Sequence, residues 1–501
     1  MPRSSNCWQP ACRCRTTRKP KRVHSLTSHT SGAAGLRSSL LAQLSGFVET
    51  RLGLHFPPER LGDLERGVGS AAGEFGFSTI EACIEWLLSS ALSRRQIETL
   101  ASHLTVGETY FFRDRRVFDI LETQVLPAII DSRRGRDQHL RIWSAACSSG
   151  EEPYSVAMLL TRLIADLKNW NISILATDIS PLSLKKAGEG VYSEWSFRET
   201  PRWVKEGCFK QRANKFEINP HIKRMVTFSC LNLAEDSYPA IINATNAMDI
   251  IFCRNVLIYF SRDRADTVIS NLSRCLVDGG WLVVSPVEVP GTTAPPRLHP
   301  VRFPGAVLYR KEAMAEDIIP RPLTVPATAM PKTAVTGKTG KPPAATRVAR
   351  PQQKPQVPVP AQGPVAGDGG QSPQQARRLA DQGKLAEALA VCEAVIPADK
   401  LNPVLYYLQA TILQEMGRTD EAVVVLQRAL YIDQEFAIAH FALGHLLQGQ
   451  GRHREAGRHL AKACSLLQAF GHDEVPPEAE GMSAGRLIEL IQAMQGLDDR
   501  G

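Results

Sequence analysis

Apolar side chains recur at intervals of three and four residues from Leu36 onward, the spacing that places them on one face of a helix. The first run consists of Leu40, Leu41, Leu44, Phe47, Val48 and Leu52. Similar runs follow at 61–68 and 80–88, with Gly and Pro between them. The pattern predicts a small helical subdomain over residues 36–125.

From about Leu140 the pattern changes to short apolar runs separated by amphipathic stretches. The runs lie at 140–147, 172–180, 248–260 and 281–286. Strands that alternate with helical crossovers are typical of an α/β domain with a mainly parallel, doubly wound sheet. We assign this domain to residues 126–312. The alternation lapses between Tyr192 and Leu233, where we expect an inserted antiparallel β-subdomain at about 192–230.

A linker and a repeated helical region are predicted after the sheet. No aromatic residue occurs between Tyr309 and Tyr406, and 12 prolines lie from Pro320 to Pro373. A segment of this composition cannot build a core, so residues 313–372 are predicted to form a flexible linker.

The region from 373 to 497 repeats itself every 34 residues. Gly383, Gly417 and Gly451 open the similar phrases GKLAEALA, GRTDEAVVVL and GRHREAGRHL. This period resembles the tetratricopeptide repeat (TPR), an all-α array of antiparallel helix pairs. Such arrays form a groove for a peptide or helix, so an unknown protein or peptide ligand is expected.

Charge is concentrated at the start of the chain. Lys and Arg exceed Asp and Glu by 59 to 51, a net charge of +8, and the first 48 residues hold eight Lys or Arg and no acid. The neutral remainder argues against a nucleic-acid-binding protein. Residues 1–35 are predicted to be a disordered basic tail. A zinc site there is disfavoured, because the candidate ligands contain no CxxC pair; they are Cys7, Cys12, Cys14, His24 and His29.

The strand-turn-helix SAACSSGEEPYS (144–155) is the first candidate for chemistry. It lacks the GxGxxG pattern of pyrophosphate-binding turns, and Glu151 and Glu152 would repel a pyrophosphate at the helix start. This acidic pair suits a cationic ligand such as a sulfonium or an amino group. A purely structural capping role for both glutamates stays open.

Asp178 ends the next strand, where a carboxylate reaches a ribose diol in doubly wound sheets. An acid at this position without a pyrophosphate turn indicates a nucleoside ligand, of which S-adenosylmethionine (SAM) is the obvious case. A nicotinamide-dependent oxidoreductase is disfavoured for the same reason.

With these motifs the chain resembles the CheR-type chemoreceptor protein-glutamate O-methyltransferases. The matching phrases are LTVGETYFFRD (104–114), IWSAACSSGEEPYS (142–155), ILATDIS (174–180), GVY (190–192), FSCLNL (228–233) and IFCRNVLIYF (251–260). They cover roughly residues 40–310 in the family's order. The resemblance implies a Rossmann-like SAM-dependent methyltransferase domain behind the helical subdomain, SAM as the methyl donor, S-adenosylhomocysteine as the product, and no metal.

The resemblance also implies the site residues. The expected donor-binding residues are Gly107, Thr109, Arg113, Glu152, Asp178, Asn232, Leu233, Arg254 and Asn255. Arg113 and Tyr259 are expected nearest the transferred methyl group, as the catalytic residues.

Two departures from the family occur: Gly107 stands where Asn is usual, and SPVEVP (285–290) replaces a GHSE-like turn but keeps an acid, Glu288. The aromatic trio Tyr110, Phe111 and Phe112 offers dry walls, although we expect one or two of these rings to be core residues. Cys147 and Cys253 are interpreted as inert core fillers.

The substrate implied by the resemblance is a glutamate on the cytoplasmic helical bundle of a chemoreceptor. Its carboxylate is anionic at neutral pH and is already a nucleophile, so no general base is needed. The enzyme is expected in the cytoplasm, recruited to receptor arrays, with no nucleic-acid partner and no membrane insertion. The alternative is a SAM-binding, catalytically weak scaffold that assembles a chemosensory complex through its TPR repeats, for which Gly107 is the main argument.

Overall fold

A computed structural model describes most of the chain. The described ranges are 30–136, 138–240, 243–285, 288, 297–312, 372–472, 474–480 and 482–498. Most of the predicted basic tail with its Cys and His residues, the predicted linker up to residue 371, and Pro286 lie outside these ranges. The described residues divide into two units, of which the first contains residues up to 107 together with 179–182 and 259–261. No helix in the described part of the chain is both long and apolar enough to cross a membrane.

The first unit is built from four helices that share one core. They are α1 (Thr30–Leu52), α2 (Leu61–Glu74), α3 (Ile80–Ser89) and α4 (Arg94–Leu104). α4 begins with a capping box, in which Ser93 and Gln96 satisfy each other's backbone N–H groups. Leu44, Leu64 and Leu87 are fully buried, so the predicted apolar face is the one that packs.

The second unit contains two sheets and the helices that cover them. The strands are β1 (His139–Ala145), β2 (Asn171–Asp178), β3 (Val191–Tyr192), β4 (Phe209–Arg212), β5 (Lys215–Ile218), β6 (Val226–Cys230), β7 (Met248–Cys253), β8 (Leu276–Val284), β9 (Leu298–Phe303) and β10 (Ala306–Lys311). The helices of this region are α5 (Arg115–Ile120), α6 (Leu126–Arg133), α7 (Glu151–Leu163), α8 (Pro181–Glu189), α9 (Arg202–Cys208), α10 (Pro220–Lys223) and α11 (Arg262–Cys275).

The larger sheet has seven strands in the order β6-β2-β1-β7-β8-β10-β9. Neighbours from β6 to β8 pair in parallel, and β10 and β9 form an antiparallel edge. Because β2 and β7 lie on opposite sides of β1, the direction of winding reverses at β1. A crevice forms at such a reversal, beyond the carboxyl ends of the strands, and ligands bind there in open α/β sheets. The predicted doubly wound architecture is confirmed.

The inserted β-subdomain is smaller than expected. The three antiparallel strands β3, β5 and β4 form it, but the strand at the end of its predicted range, Val226–Cys230, does not belong to it. That strand is β6, and it pairs in parallel with β2 at the edge of the main sheet. The limit near residue 230 was therefore wrong, because an apolar alternation shows that a strand has one buried face without showing which sheet it joins. β8 begins at Leu276, earlier than the apolar run at 281–286 that predicted it.

The last part of the chain is entirely helical. Its helices are α12 (Pro373–Asp381), α13 (Leu385–Val395), α14 (Pro403–Glu415), α15 (Thr419–Ile432), α16 (Ala437–Gly449), α17 (His453–Leu467) and α18 (Ala484–Asp498). The three glycines of the 34-residue period have φ angles of 75° and form the turns inside the three helix pairs. These helices also contact the main sheet: Asn171 Nδ2 donates to the carbonyl of Glu415 (3.0 Å), and Arg486 Nη2 donates to the carbonyl of Cys230 (2.9 Å).

Two helical glycines of the repeats predict opposite stability changes. A Cβ on Gly444 of α16 would lie 2.7 Å from two side-chain carbons of Leu460, whereas a Cβ on Gly457 of α17 would meet nothing within 4 Å. Gly444→Ala should therefore destabilise the repeats by about 1–3 kcal/mol through overpacking. Gly457→Ala should stabilise them by roughly 0.5–1 kcal/mol, because alanine favours the helix. Thermal denaturation followed by circular dichroism measures both, and shifts of equal sign would contradict the close approach of α16 and α17.

Candidate functional site

The turn after β1 has a strained backbone. Ala146, Ser148 and Gly150 have φ angles of 59°, 51° and 91°, in the left-handed region that costs a residue other than glycine about 1–3 kcal/mol. A Cβ on Gly150 would lie 2.8 Å from the Cβ of Ala187, so glycine is required there. The turn lies at the carboxyl end of β1, beside the crevice.

Two other segments at this edge of the sheet are strained in the same way. Phe112 and Asp114, on either side of Arg113, have φ angles of 58° and 63°, and Asn255, just after β7, has a φ angle of 59°. Strained residues persist only where their surroundings hold them, and they cluster at functional sites. The carboxyl edge of the sheet is therefore the place to look for the chemistry.

Arg254 joins these three segments. Its Nη1 donates to Glu152 Oε2 (3.1 Å), and its Nη2 donates to the main-chain carbonyl of Arg113 (3.0 Å) and lies 3.4 Å from Asp114 Oδ2. The Arg254 side chain is only 3% exposed. Its Nε is buried and has no hydrogen-bond partner within the described residues, which leaves one N–H for a ligand.

The two glutamates at the start of α7 have different environments. Glu151 is almost fully buried and accepts hydrogen bonds from Ser149 Oγ (2.7 Å) and Ser196 Oγ (3.0 Å). It ties the turn to the segment that follows β3. Glu152 accepts from Ser144 Oγ (2.7 Å) and from Arg254. Only Glu152 joins the charged group at the sheet edge, and the capping interpretation does not describe either residue.

Asp178 lies at the end of β2 and is held by the strained turn. Its Oδ2 accepts a hydrogen bond from the backbone N–H of Ser148 (2.8 Å). The carbonyl of Asp178 accepts a hydrogen bond from the backbone N–H of Leu231 (3.1 Å). The structure thus brings the segment after β6 next to the end of β2. In that segment, Asn232 Oδ1 accepts from the N–H of Ala234 (3.0 Å), and the carbonyl of Leu233 accepts from the hydroxyl of Tyr238 (2.7 Å).

Arg113 is half-buried, and its Nη1 donates to the carbonyl of Glu108 (2.8 Å). Thr109 lies in the same segment and is also half-buried. The ring of Tyr110 lies 3.9 Å from the guanidinium of Arg198, and its hydroxyl donates to Glu199 (3.0 Å). The guanidinium of Arg113 is therefore held by the main-chain carbonyl of Glu108, and the backbone of Arg113 is held separately by Arg254.

Two rings of the aromatic trio are core residues. Phe111 is fully buried against Tyr192, Phe197 and Phe209, and Phe112 packs against Phe118 and Trp203. The prediction that one or two of these three rings pack in the core is confirmed. Of the trio, only Tyr110 remains available to line a site.

The thiols of Cys147 and Cys253, at this edge of the sheet, are not nucleophiles. Burial raises the pKa of Cys147 well above its usual value, and the carboxylates of Asp178 and Glu152 raise it further. Burial also raises the pKa of Cys253, with Glu288 and Glu152 adding to the effect. Both thiols stay protonated at neutral pH, in agreement with their interpretation as core fillers.

Glu288 has a structural role that the sequence did not indicate. Its carboxylate accepts three backbone hydrogen bonds, from Asn255 (2.7 Å), Leu257 (2.9 Å) and Ser285 (3.1 Å). It therefore holds the strained segment after β7 against the end of β8. The only signal in the sequence was an acid shortly after a buried strand. That signal does not show which backbone N–H groups donate hydrogen bonds to the carboxylate.

Gly107 and Tyr259 belong to the first unit. The carbonyl of Tyr259 accepts a hydrogen bond from His55 N (2.7 Å), and its ring centre lies 5.6 Å from the guanidinium carbon of Arg60. Gly107 is exposed. The roles expected for these two residues near the methyl group and the donor stay predictions.

The sheet reversal, the acid at the end of β2 and the turn without a pyrophosphate motif define the class of nucleoside-binding α/β proteins to which SAM-dependent methyltransferases belong. Residues 107–291 match the family described as "CheR methyltransferase, SAM binding domain", and residues 410–451 match "TPR repeat". A chemotaxis protein methyltransferase of Borreliella burgdorferi is 32% identical over 251 residues, which cover 50% of this chain and 87% of that protein. The chain belongs to the CheR family of chemotaxis protein methyltransferases, with TPR repeats after the catalytic domain.

Two further relatives extend the comparison. A chemotaxis protein methyltransferase of Listeria monocytogenes is 35% identical over 192 residues, covering 38% of this chain and 69% of that protein. A probable biofilm formation methyltransferase, WspC, of Pseudomonas aeruginosa is 29% identical over 375 residues, covering 70% of this chain and 84% of its own length. The similarity to WspC covers more of this chain than the similarity to the other two proteins.

Proposed function

We propose that this protein transfers a methyl group from SAM to glutamate side chains of chemoreceptor cytoplasmic domains. The products are glutamate methyl esters and S-adenosylhomocysteine, and the reaction takes place in the cytoplasm at receptor arrays. The single observation that carries the proposal is the position of Arg254 at the carboxyl edge of the sheet. There its side chain donates hydrogen bonds to Glu152 and to the main-chain carbonyl of Arg113. The names of the relatives support the choice of a chemoreceptor as the substrate.

The residues at the sheet edge fit SAM. Asp178, Asn232 and Leu233 lie together at the ends of β2 and β6, where a ribose and a base bind in doubly wound sheets. Glu152 suits the amino group of the donor, and the free N–H of Arg254 suits a carboxylate. Thr109 and Asn255 complete the proposed donor site, and Gly107 has no side chain to contribute a hydrogen bond. When bound, SAM supplies a methyl group attached to a positively charged sulfur.

Arg113 is proposed to orient the carboxylate of the substrate glutamate. A guanidinium offers parallel N–H donors that match a carboxylate, and the contact of Arg113 with the Glu108 carbonyl limits its motion. Tyr259 is proposed to border the reacting atoms. The substrate glutamate, with an ordinary pKa near 4.3, needs no base to become a nucleophile. The contribution of the protein is alignment and exclusion of water.

The alternative, a SAM-binding scaffold that assembles a complex through its TPR repeats, keeps one observation in its favour. Gly107 cannot make the side-chain hydrogen bond that asparagine makes at this position in the family. A weakly bound donor would then make turnover slow. The same experiment separates the two functions.

The test is the transfer of label from methyl-labelled SAM to receptor cytoplasmic fragments, with wild type, Arg113→Ala and Arg115→Ala compared. Arg115 is the matched control, because its exposed side chain pairs with Asp119 one helical turn away. We expect base-labile label on glutamates with wild type and Arg115→Ala, and a loss of at least about 100-fold with Arg113→Ala. Binding of the donor without transfer to any receptor fragment would overturn the proposal and favour the scaffold.

A further inference from the structure

The helix that follows the repeats, α18, is fixed to them near both of its ends. At its start, Gly485 N donates to the carbonyl of His472 (3.0 Å). Further along, the side chain of Gln448 in α16 donates to the carbonyl of Met494 (3.1 Å). Leu487 lies between these two contacts and is fully buried in the core that the repeat helices share. A side chain of α18 that points away from the repeats is therefore presented from a fixed position.

Arg486, in the first turn of α18, reaches the main sheet. Its half-buried side chain donates from Nη2 to the carbonyl of Cys230 (2.9 Å). Cys230 is the last residue of β6, which is an edge strand of the sheet. The outer side of an edge strand has no neighbouring strand with which to exchange hydrogen bonds. Arg486 therefore gives the end of β6 a partner from the repeat region.

The peptide group between Cys230 and Leu231 is held from two sides. Its N–H, which belongs to Leu231, donates to the carbonyl of Asp178 at the end of β2 (3.1 Å). The N–H and the C=O of one trans peptide group point in opposite directions. The carbonyl of Cys230 consequently faces away from β2 and towards Arg486, so this peptide group is fixed between β2 and α18.

The residues after this peptide group are those proposed to bind the donor. We call residues 231–233 the donor segment. Asn232 and Leu233 are 7% and 5% exposed. Because each residue has only two soft dihedral angles, the orientation of the peptide group at Leu231 determines where Asn232 and Leu233 lie. A contact that fixes that group therefore acts on the donor segment.

Two further contacts between the repeats and the sheet lie near the opposite, amino-terminal end of the strands. Asn171, the first residue of β2, donates from Nδ2 to the carbonyl of Glu415 in α14 (3.0 Å). Arg141 of β1 lies 3.7 Å from a carboxylate oxygen of Glu415, and the two side chains are 9% and 7% exposed. Asn171 and Asp178 stand at opposite ends of β2. Attachment of the repeats to the sheet and support of the donor segment can therefore be separated by experiment.

We propose that Arg486 is a positioning residue of the donor site. By donating to the carbonyl of Cys230, it holds the donor segment in the place where the adenosine part of SAM binds. The repeat region thus supports donor binding from outside the methyltransferase domain. The inference rests on the proposed function, in which Asn232 and Leu233 belong to the donor site.

The test compares full-length wild type and Arg486→Met by calorimetric titration with SAM and, separately, with S-adenosylhomocysteine. We expect both dissociation constants to rise about five- to tenfold, because both ligands contain adenosine and the hydrogen bond from the charged guanidinium is lost. In transfer assays the KM for SAM should rise with them, whereas kcat and the KM for the receptor fragment should change less than about twofold. Arg486→Lys should recover most of the affinity, because an ammonium also donates to a carbonyl.

Two variants serve as controls, and hydrogen exchange reports on the segment itself. Arg428→Met makes the same change in an exposed arginine of α15 and should leave donor binding unchanged. Asn171→Ala removes a contact of the repeats at the other end of β2 and should also leave it unchanged. Without any ligand, the amide of Leu231 should exchange faster in Arg486→Met than in wild type, because its peptide group is held from one side only.

The outcomes separate this inference from the function on which it rests. Failure of the wild type to bind SAM would overturn the proposed donor site and this inference with it. If the wild type binds SAM and Arg486→Met binds it equally well, only the positioning role is overturned. Equal losses of affinity in Arg486→Met and Asn171→Ala would also overturn that role, since general attachment of the repeats would then explain the effect.

Discussion

Arg254→Met is expected to lower methyl transfer at least about 100-fold and to weaken donor binding. The Arg254 side chain is 3% exposed and is the cation between Glu152 and Asp114. Removing one partner of such a buried group costs about 3–5 kcal/mol, because the remaining carboxylates lose their compensation. The segment of Arg113 also loses the hydrogen bond to its carbonyl. Calorimetric titration with SAM and the rate of label transfer measure the two effects.

The matched control is Arg133→Met. Arg133, which is half-buried, forms a second ion pair with the buried Asp249 near the opposite end of the sheet, in which Nη1 lies 2.8 Å from Oδ2. Its loss should lower the melting temperature while the folded protein still binds SAM. Arg254→Lys should recover only part of the activity, because an ammonium cannot reproduce the fork that contacts Glu152 and the carbonyl of Arg113 together. Equal donor affinity of Arg254→Met and wild type would show that the ion pair plays no part in the site.

Glu288→Gln is expected to have the second largest effect. The carboxylate accepts three backbone N–H groups with its two oxygens. A glutamine has one accepting oxygen and presents an NH₂ group to N–H donors on the other side, so at least one buried N–H loses its partner. Leaving a buried donor unsatisfied costs about 1–3 kcal/mol. We expect a lower melting temperature and a fall of about 10-fold or more in transfer, since the segment from Asn255 to Leu257 is no longer held.

Glu217→Gln is a suitable control for this prediction. Glu217 lies in the inserted sheet and pairs with the exposed Arg212, so the substitution should change neither stability nor transfer measurably. If Glu288→Gln lowers the melting temperature but leaves transfer unchanged at a temperature where the protein is folded, the carboxylate stabilises the fold without positioning the site.

The sequence by itself determined the architecture and the family. The change of apolar period from helix to strand, the acid at Asp178 and the turn ending in Gly150 are local features, and each depends on a few neighbouring residues. The 34-residue period is equally visible, because each repeat places the same small residues at the same contact. Helix faces, strand order along the chain and the donor class could therefore be predicted.

Only the tertiary structure decided which residues act together. Arg113, Glu152 and Arg254 are far apart in the chain. Nothing in their spacing shows that the guanidinium of Arg254 contacts Glu152 and the main chain of Arg113. Glu151 and Glu152 have different roles because Glu151 contacts Ser196 in the segment after β3, whereas Glu152 contacts Arg254 just after β7. β6 joins the main sheet by pairing with a distant strand, and Glu288 gains its role from N–H groups more than 30 residues away. These contacts follow from how the strands assemble, and a local pattern does not encode that assembly.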